Sequence, residues 1–396
     1  MINIQRKEDC CGCGACVDAC VKKAIVWKPD YEGFSYPHVN TSKCVNCGLC
    51  NKVCPIENSD AINALNATFE PVVFAAYHKD ENIRLTSTSG GAFWGLAESW
   101  VKNGGYVAGA VWVDHFKVKH IVTNSIEELQ RIKGSKYVQS DARGMYKEIA
   151  RLLKAGEKVL ATGLPCQMAA LRQFLYKNYE NLLVVDLICH SVTSPLPFDK
   201  YISYLETKYG SEVLTFHPKN KESGGWHKFA FKATFANGET YLRHAADDYY
   251  CIISYRSSIL CRYSCFECHY KHFPQPSDIT IGDFWGIEKI DHTWDSPKGV
   301  SKIMLNTPKG SKYFKTLDVF DTKVYDAEMA IFQNPRSWPM IRSLPRCDMQ
   351  KREAFVNDLH EHDLDYCMKK HILLKTGLKH KIKKLIKKYV GYKYYW

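Results

Sequence analysis

Cys10-Cys11-Gly12-Cys13-Gly14-Ala15-Cys16-Val17-Asp18-Ala19-Cys20 and Cys44-Val45-Asn46-Cys47-Gly48-Leu49-Cys50-Asn51-Lys52-Val53-Cys54-Pro55 decide how this chain begins. Both repeat the interval Cys-x2-Cys-x2-Cys-x3-Cys. Three closely spaced thiolates on a tight loop cap three corners of a four-iron, four-sulfur cubane, and the fourth ligand must come from elsewhere. In two-cluster modules the last cysteine of each run serves the other cluster. The spacing therefore assigns Cys10, Cys13, Cys16 and Cys54 to one cluster, and Cys44, Cys47, Cys50 and Cys20 to a second. Gly12, Gly14 and Gly48 let the backbone pass close to the sulfides. A zinc module would instead use separated Cys-x2-Cys pairs. Cys11 reads as a spare thiol.

Working outward, residues 1–57 form a small ferredoxin-type module, with short strands over 24–27 and 34–39 around a turn at 29–33. Residues 57–68 read as a polar linker. From Pro71 strand and helix patterns alternate: strands over 72–77, 106–112, 158–163 and 182–187, a hairpin partner at 118–122, and helices over 126–132, 142–155 and 167–175. This is an α/β core spanning 70–205, α+β for the chain as a whole. Residues 206–300 turn to β patterns, with a hairpin turn at 236–238 and a cysteine-rich loop over 251–268. Residues 301–368 read as helical, and 369–396 as a basic amphipathic tail.

The 396 residues carry 45% hydrophobic and 24% charged side chains, ordinary for a globular protein with a sizeable core. Nine of the 17 cysteines precede residue 55. With no export signal visible, this usage points to metal or redox chemistry in the cytoplasm, not to a disulfide framework. No stretch approaches the roughly 18 apolar residues of a membrane span. The formal charge of +12 is local, because residues 369–396 hold ten Lys and no Asp or Glu. The remainder carries about +2 (12 less 10), which argues against nucleic acid. The tail, with apolar residues at helical spacing and a Tyr392–Trp396 aromatic end, suits an anionic membrane surface; a solvated helix is the alternative.

Further motifs lie in the α/β core. Ser87-Thr88-Ser89-Gly90-Gly91 opens a helix and offers either an anion cradle or a plain capped start. Gly134-Ser135-Lys136-Tyr137-Val138-Gln139-Ser140 puts a cation, an aromatic ring and an amide on one loop, suitable for a flavin. Gly163-Leu164-Pro165-Cys166-Gln167 follows a strand at the end where open α/β sheets bind ligands. Cys166, Cys189, Cys251, Cys261, Cys265 and Cys268 form a second cysteine set, for which a zinc site or scattered buried thiols is as good a reading of the local spacing as a redox site.

In this order, with Asp186–Ser194 and Ser277–Gly286, the motifs resemble the beta-subunit family of coenzyme F420 hydrogenases and dehydrogenases over roughly the first 290 residues. That coenzyme is an 8-hydroxy-5-deazaflavin. The resemblance implies an FAD-binding α/β domain and a third 4Fe-4S cluster near the flavin. FAD would be held by Ser87, Thr88, Ser89, Gly90, Gly91, Lys136, Tyr137, Gln139 and Ser140, and bordered by Gly163, Pro165 and Gln167. Cys166, Cys189, Cys265 and Cys268 would hold the third cluster, with Cys261 or Cys251 as substitutes. Asp278 and Asp283 would shape the loop beneath. The fused ferredoxin departs from the founding members and looks like a bacterial branch associated with surface polysaccharide.

The leading expectation is an iron–sulfur flavoprotein oxidoreductase that passes electrons between a hydride carrier, FAD, the clusters and a redox partner protein. Flavin is needed because clusters take one electron at a time while hydride carriers deliver two. The alternatives are a non-enzymatic electron-transfer adapter and a flavoenzyme of polysaccharide biosynthesis.

Overall fold

The computed structural model describes residues 1–373. The tail's membrane-surface expectation therefore falls almost wholly outside the described residues. Among these, no helix is long and apolar enough to cross a membrane.

The organising element is an eight-stranded sheet in the order β13-β3-β12-β11-β7-β6-β4-β5. Its strands are β3 (Val72–His78), β4 (Tyr106–Val113), β5 (Lys117–Thr123), β6 (Val159–Gly163), β7 (Leu182–Leu187), β11 (Ile279–Asp283), β12 (Ser301–Leu305) and β13 (Phe320–Tyr325). β11, β7, β6 and β4 run parallel, while β5 closes one end as the antiparallel hairpin partner of β4. β12 pairs antiparallel with both β11 and β3. The central strands are buried on both faces: all five residues of β6 and of β12, and five of six in β7. That burial explains their continuous apolar runs. The helix Ala92–Lys102, the helix Ile126–Ile132 and Phe314 cover one face. The helices Met145–Lys154 and Pro165–Leu175 cover the other. This is an α/β fold.

The cysteine module packs on the second face. Its hairpin, β1 (Ile25–Pro29) with β2 (Ser35–Val39), is antiparallel. Cys13, Cys16, Cys50 and Cys54 share one core with Tyr146, Ile149, Met168 and Leu171. Tyr146 donates to the Cys13 carbonyl at 3.0 Å, and Asp18 accepts from the Gly144 N–H at 2.8 Å. A second tie is ionic. Arg352, on the helix Met349–Glu361, is fully buried and grips Glu32 with two bonds of 2.9 and 2.6 Å. A separate three-stranded sheet, β8 (Val213–Asn220), β9 (Ala230–Phe235) and β10 (Thr240–His244), packs beside the helix Pro195–Tyr209.

Two readings need correction. Residues 301–368 are not uniformly helical, since β12 and β13 belong to the main sheet and a boundary at 300 would cut through it. Residues 57–68 are docked, not a free linker. Ile62 is fully buried against Ala169 and Tyr270, and Asn66 donates to the carbonyls of Gln275 and Ser277 at 2.7 and 2.8 Å.

Candidate functional site

A pocket of about 260 Å³ opens at the carboxyl ends of β6, β7 and β11, where ligands of open α/β sheets sit. It is close to the lower end of the roughly 300–1,000 Å³ usual for small-molecule sites. Three distant segments build it: Ser87–Ser89 with Gly91, the loop 133–138 with Ser140, and Gly163 with Gln167. Gly91, at φ +94°, turns the chain into the helix Ala92–Lys102, whose first residues face the cavity. That end of the helix brings a positive dipole to the wall.

Lysines fix these loops, Lys136 and Lys221 buried and Lys271 half-buried. Lys221 donates to the carbonyls of Arg84, Ser89 and Lys298. Lys271 does the same for Cys189, His190 and Pro339. Lys136 spends its ammonium on the carbonyls of Arg131, Ile132, Lys133 and Gly134, so it closes the helix Ile126–Ile132 and its charge is committed there. Burial drives the Lys136 pKa down to about 7. Lys133, at the same wall, donates to Thr86 and lies over the Trp94 ring. His120 is only 4% exposed. Burial pushes its pKa down to about 4, so an uncharged imidazole faces the pocket at neutral pH.

Not every expected flavin residue faces this cavity. Gln139 turns away and donates to the Gly12 carbonyl at 3.2 Å. Gly90 is pressed against β3 and β12, where a Cβ would lie 2.5 Å from the Ala76 carbonyl oxygen. Pro165 lines the neighbouring cysteine cavity instead. Ser89 is spent on the Val300 carbonyl, Thr88 receives the Ser135 N–H, and Gln167 ties Ser140 to the Leu164 N–H.

That neighbouring cavity, with about 40 Å³ of free space, is lined by Cys166, Cys189, Cys265 and Cys268. Cys189 also lines the larger pocket, so the two share a wall. Cys11, two residues before Cys13, joins the lining as well, beside Cys166. It is more than the spare thiol the spacing suggested, and no local signal marks it because Cys166 lies far along the chain. Cys261 sits behind this wall, 3.1 Å from the Ser191 hydroxyl, and Cys251 is buried in the aromatic core beside Tyr250.

The two amino-terminal quartets also converge. Cys20, Cys44, Cys47 and Cys50 line one cavity of about 200 Å³, with Val21, Val45 and Met1 exposed at its mouth. Cys10, Cys13, Cys16 and Cys54 are all buried at 8% exposure. Burial first, and neighbouring thiols after it, push Cys54 up to about 12 and raise Cys16 well above its usual range. Metal ligation is what can hold such groups as thiolates. Soft sulfur donors in fours fit the iron–sulfur clusters that the spacing implies.

Comparison with known proteins agrees on two segments. Residues 156–325 match the family model for the C terminus of the beta subunit in coenzyme F420 hydrogenase/dehydrogenase, and residues 9–58 match the 4Fe-4S dicluster domain. An uncharacterized ferredoxin of Methanocaldococcus jannaschii is 39% identical over 49 residues, which are 12% of this chain and 62% of that one. The ferredoxin-type protein NapF of Escherichia coli is 36% identical over 44 residues, 11% of this chain and 27% of NapF. The chain thus spans less than two thirds of either relative. Among solved structures, a chain of the F420-reducing NiFe hydrogenase complex from Methanosarcina barkeri superposes with a TM-score of 0.44 at 20% identity, covering 63% of this chain and 81% of that one. The chain therefore carries a 4Fe-4S dicluster domain, and its residues 156–325 belong to the C-terminal family found in the beta subunits of coenzyme F420 hydrogenases and dehydrogenases.

Proposed function

We propose that the protein is an iron–sulfur flavoprotein oxidoreductase whose cofactors stand in a row. FAD occupies the pocket between Ser87–Gly91 and the 133–140 loop. Cys166, Cys189, Cys265 and Cys268 hold a third 4Fe-4S cluster behind it. Cys10, Cys13, Cys16 and Cys54 hold the inner ferredoxin cluster, and Cys20, Cys44, Cys47 and Cys50 the outer one. The observation that carries this reading is continuity: Cys189 lines both the pocket and the cysteine cavity, and Cys11, two residues before Cys13, lines that cavity too.

When bound, the flavin supplies the exchange between a two-electron hydride carrier and one-electron clusters. The chain's own part is to keep that exchange dry and oriented. Lys221, Lys271 and Lys136 clamp the loops, Lys133 and the helix start favour an anionic group, and His120 presents a neutral ring. A redox partner protein docks at the outer quartet, where Val21 is 82% and Val45 59% exposed. Exposed apolar side chains at an electron exit suit such a contact.

The test is anaerobic reduction of the purified protein by the deazaflavin coenzyme, NADH and NADPH, followed at the flavin band. Bleaching by one of them supports the reading and identifies the carrier. Protein that keeps its ferredoxin-type signals but never contains flavin would instead be an electron-transfer adapter.

A further inference from the structure

Arg262 reaches from the cysteine-rich loop of the large domain into the ferredoxin module. Its side chain is wholly buried. Nε donates to the Cys10 carbonyl at 2.7 Å and Nη1 to Gln139 Oε1 at 2.9 Å. Nη2 donates to the Ser35 carbonyl at 3.0 Å and to Cys10 Sγ at 3.4 Å. The guanidinium also lies 4.4 Å from the Tyr36 ring centroid. None of these acceptors is a carboxylate. A buried guanidinium is always charged and needs a counter-charge, and the Cys10 sulfur is the one of these acceptors that becomes anionic when it ligates iron.

The seat is purpose-built. Gly12 stands at φ +74°, and a Cβ there would fall 2.7 Å from Arg262 Cζ and 2.1 Å from Gln139 Nε2. Among the described residues, no buried side-chain cation donates to a sulfur of the outer quartet. Its sulfurs accept backbone N–H bonds from Ala24, Asn46 and Ile2, which carry no net charge.

We propose that Arg262 is a positioning residue that tunes the inner cluster, raising its reduction potential through a charged N–H···S bond to Cys10. Burial disfavours the one-electron-reduced, more negative cluster, whereas a fixed cation and a hydrogen bond to sulfur favour it. Arg262 thereby offsets the cost of placing this cluster deep in the molecule and keeps it able to accept an electron from the large domain. The proposal rests on the assignment of Cys10, Cys13, Cys16 and Cys54 to one cluster.

The test is a dithionite redox titration of the full-length, anaerobically purified protein, followed by electron paramagnetic resonance, with iron counted in every sample. In Arg262→Gln the expected result is unchanged iron, one midpoint shifted to more negative potential, and the other ferredoxin-type midpoint unmoved. Arg262→Lys keeps the charge and loses the fork, so its shift is smaller. If Arg262→Gln loses iron, Gln139→Ala, which releases only Nη1, decides by showing a small shift of the same sign. Full iron with both midpoints unmoved in Arg262→Gln, or no shift in Gln139→Ala and Arg262→Lys where the first variant fails, overturns the tuning alone. A parent protein without two ferredoxin-type signals refutes the cluster assignment, and the proposal with it.

Discussion

The two cysteine runs share every interval, yet the chain places them in opposite surroundings. All four cysteines of the inner quartet are buried, Cys13, Cys16 and Cys54 against the helices of the large domain and Cys10 against Phe34 and Tyr36. In the outer quartet Cys50 is buried, Cys20 and Cys44 are half-buried and Cys47 is exposed. The residues between the cysteines record that difference. Cys11, lining the inner cysteine cavity, corresponds to Val45, 59% exposed at the surface. Gly12, at φ +74° and pressed by Arg262 and Gln139, corresponds to the exposed Asn46, at φ +52°, whose Oδ1 accepts from the Met1 amine at 3.2 Å. Spacing dictates what the sulfurs grip, and the intervening residues decide which end of the module faces the rest of the molecule and which faces a partner.

Ligand removal gives the largest contrast. Cys16→Ser and Cys47→Ser should each cost about four irons per chain. Only the inner variant should also lose stability, by several kcal/mol (roughly a metal site's share of folding energy), read as a lowered denaturation midpoint. Equal midpoints in the two variants would erase the distinction between inner and outer.

The ionic ties should differ next. Glu32→Ala leaves Arg352 buried without its carboxylate and should cost about 3–5 kcal/mol in denaturant unfolding. Asp9→Ala removes a pair with Arg6 whose side chains are 42% and 58% exposed, and should cost under about 1 kcal/mol.

A pH effect of about 3 kcal/mol follows from the burial of His120. Its folded pKa of about 4 lies below the usual 6.5. The unfolded chain therefore takes up a proton that the native site refuses. Stability is complete above the unfolded pKa and is lost as pH falls from about 6.5 to 4, by about 1.4 kcal/mol per unit. His120→Gln should flatten that slope in urea titrations across the window.

The smallest contrast is steric. Gly12→Ala must both adopt φ +74° and displace Arg262, and should cost about 2 kcal/mol or more. At Gly48 a Cβ would meet nothing within 4 Å, so Gly48→Ala should cost about 1 kcal/mol, from backbone strain alone. Thermal unfolding of the two variants reads the difference.

Much of this was legible in the chain itself. The sulfur intervals, the apolar runs of β6 and β7 and the three segments around the pocket all carry local signals. What stayed hidden is long-range or disguised. β12 reads Ser-Lys-Ile-Met-Leu, and a lysine in a fully buried strand masks the pattern. Lys302 is tolerated there because the Ala330 carbonyl and the Ser337 hydroxyl take its ammonium at 2.7 and 2.6 Å. β13 is an edge strand with four consecutive exposed residues, so it shows no apolar alternation. The roles of Cys11, Arg262 and the Glu32–Arg352 pair depend on partners far away in sequence, which no window along the chain could reveal.

Iron content decides whether the cysteine quartets hold cubanes. Metal and acid-labile sulfide should be counted in protein made and purified without air. A row of three cubanes predicts a brown protein with about twelve irons and as many sulfides per chain. Colourless protein holding zinc in place of iron would contradict it.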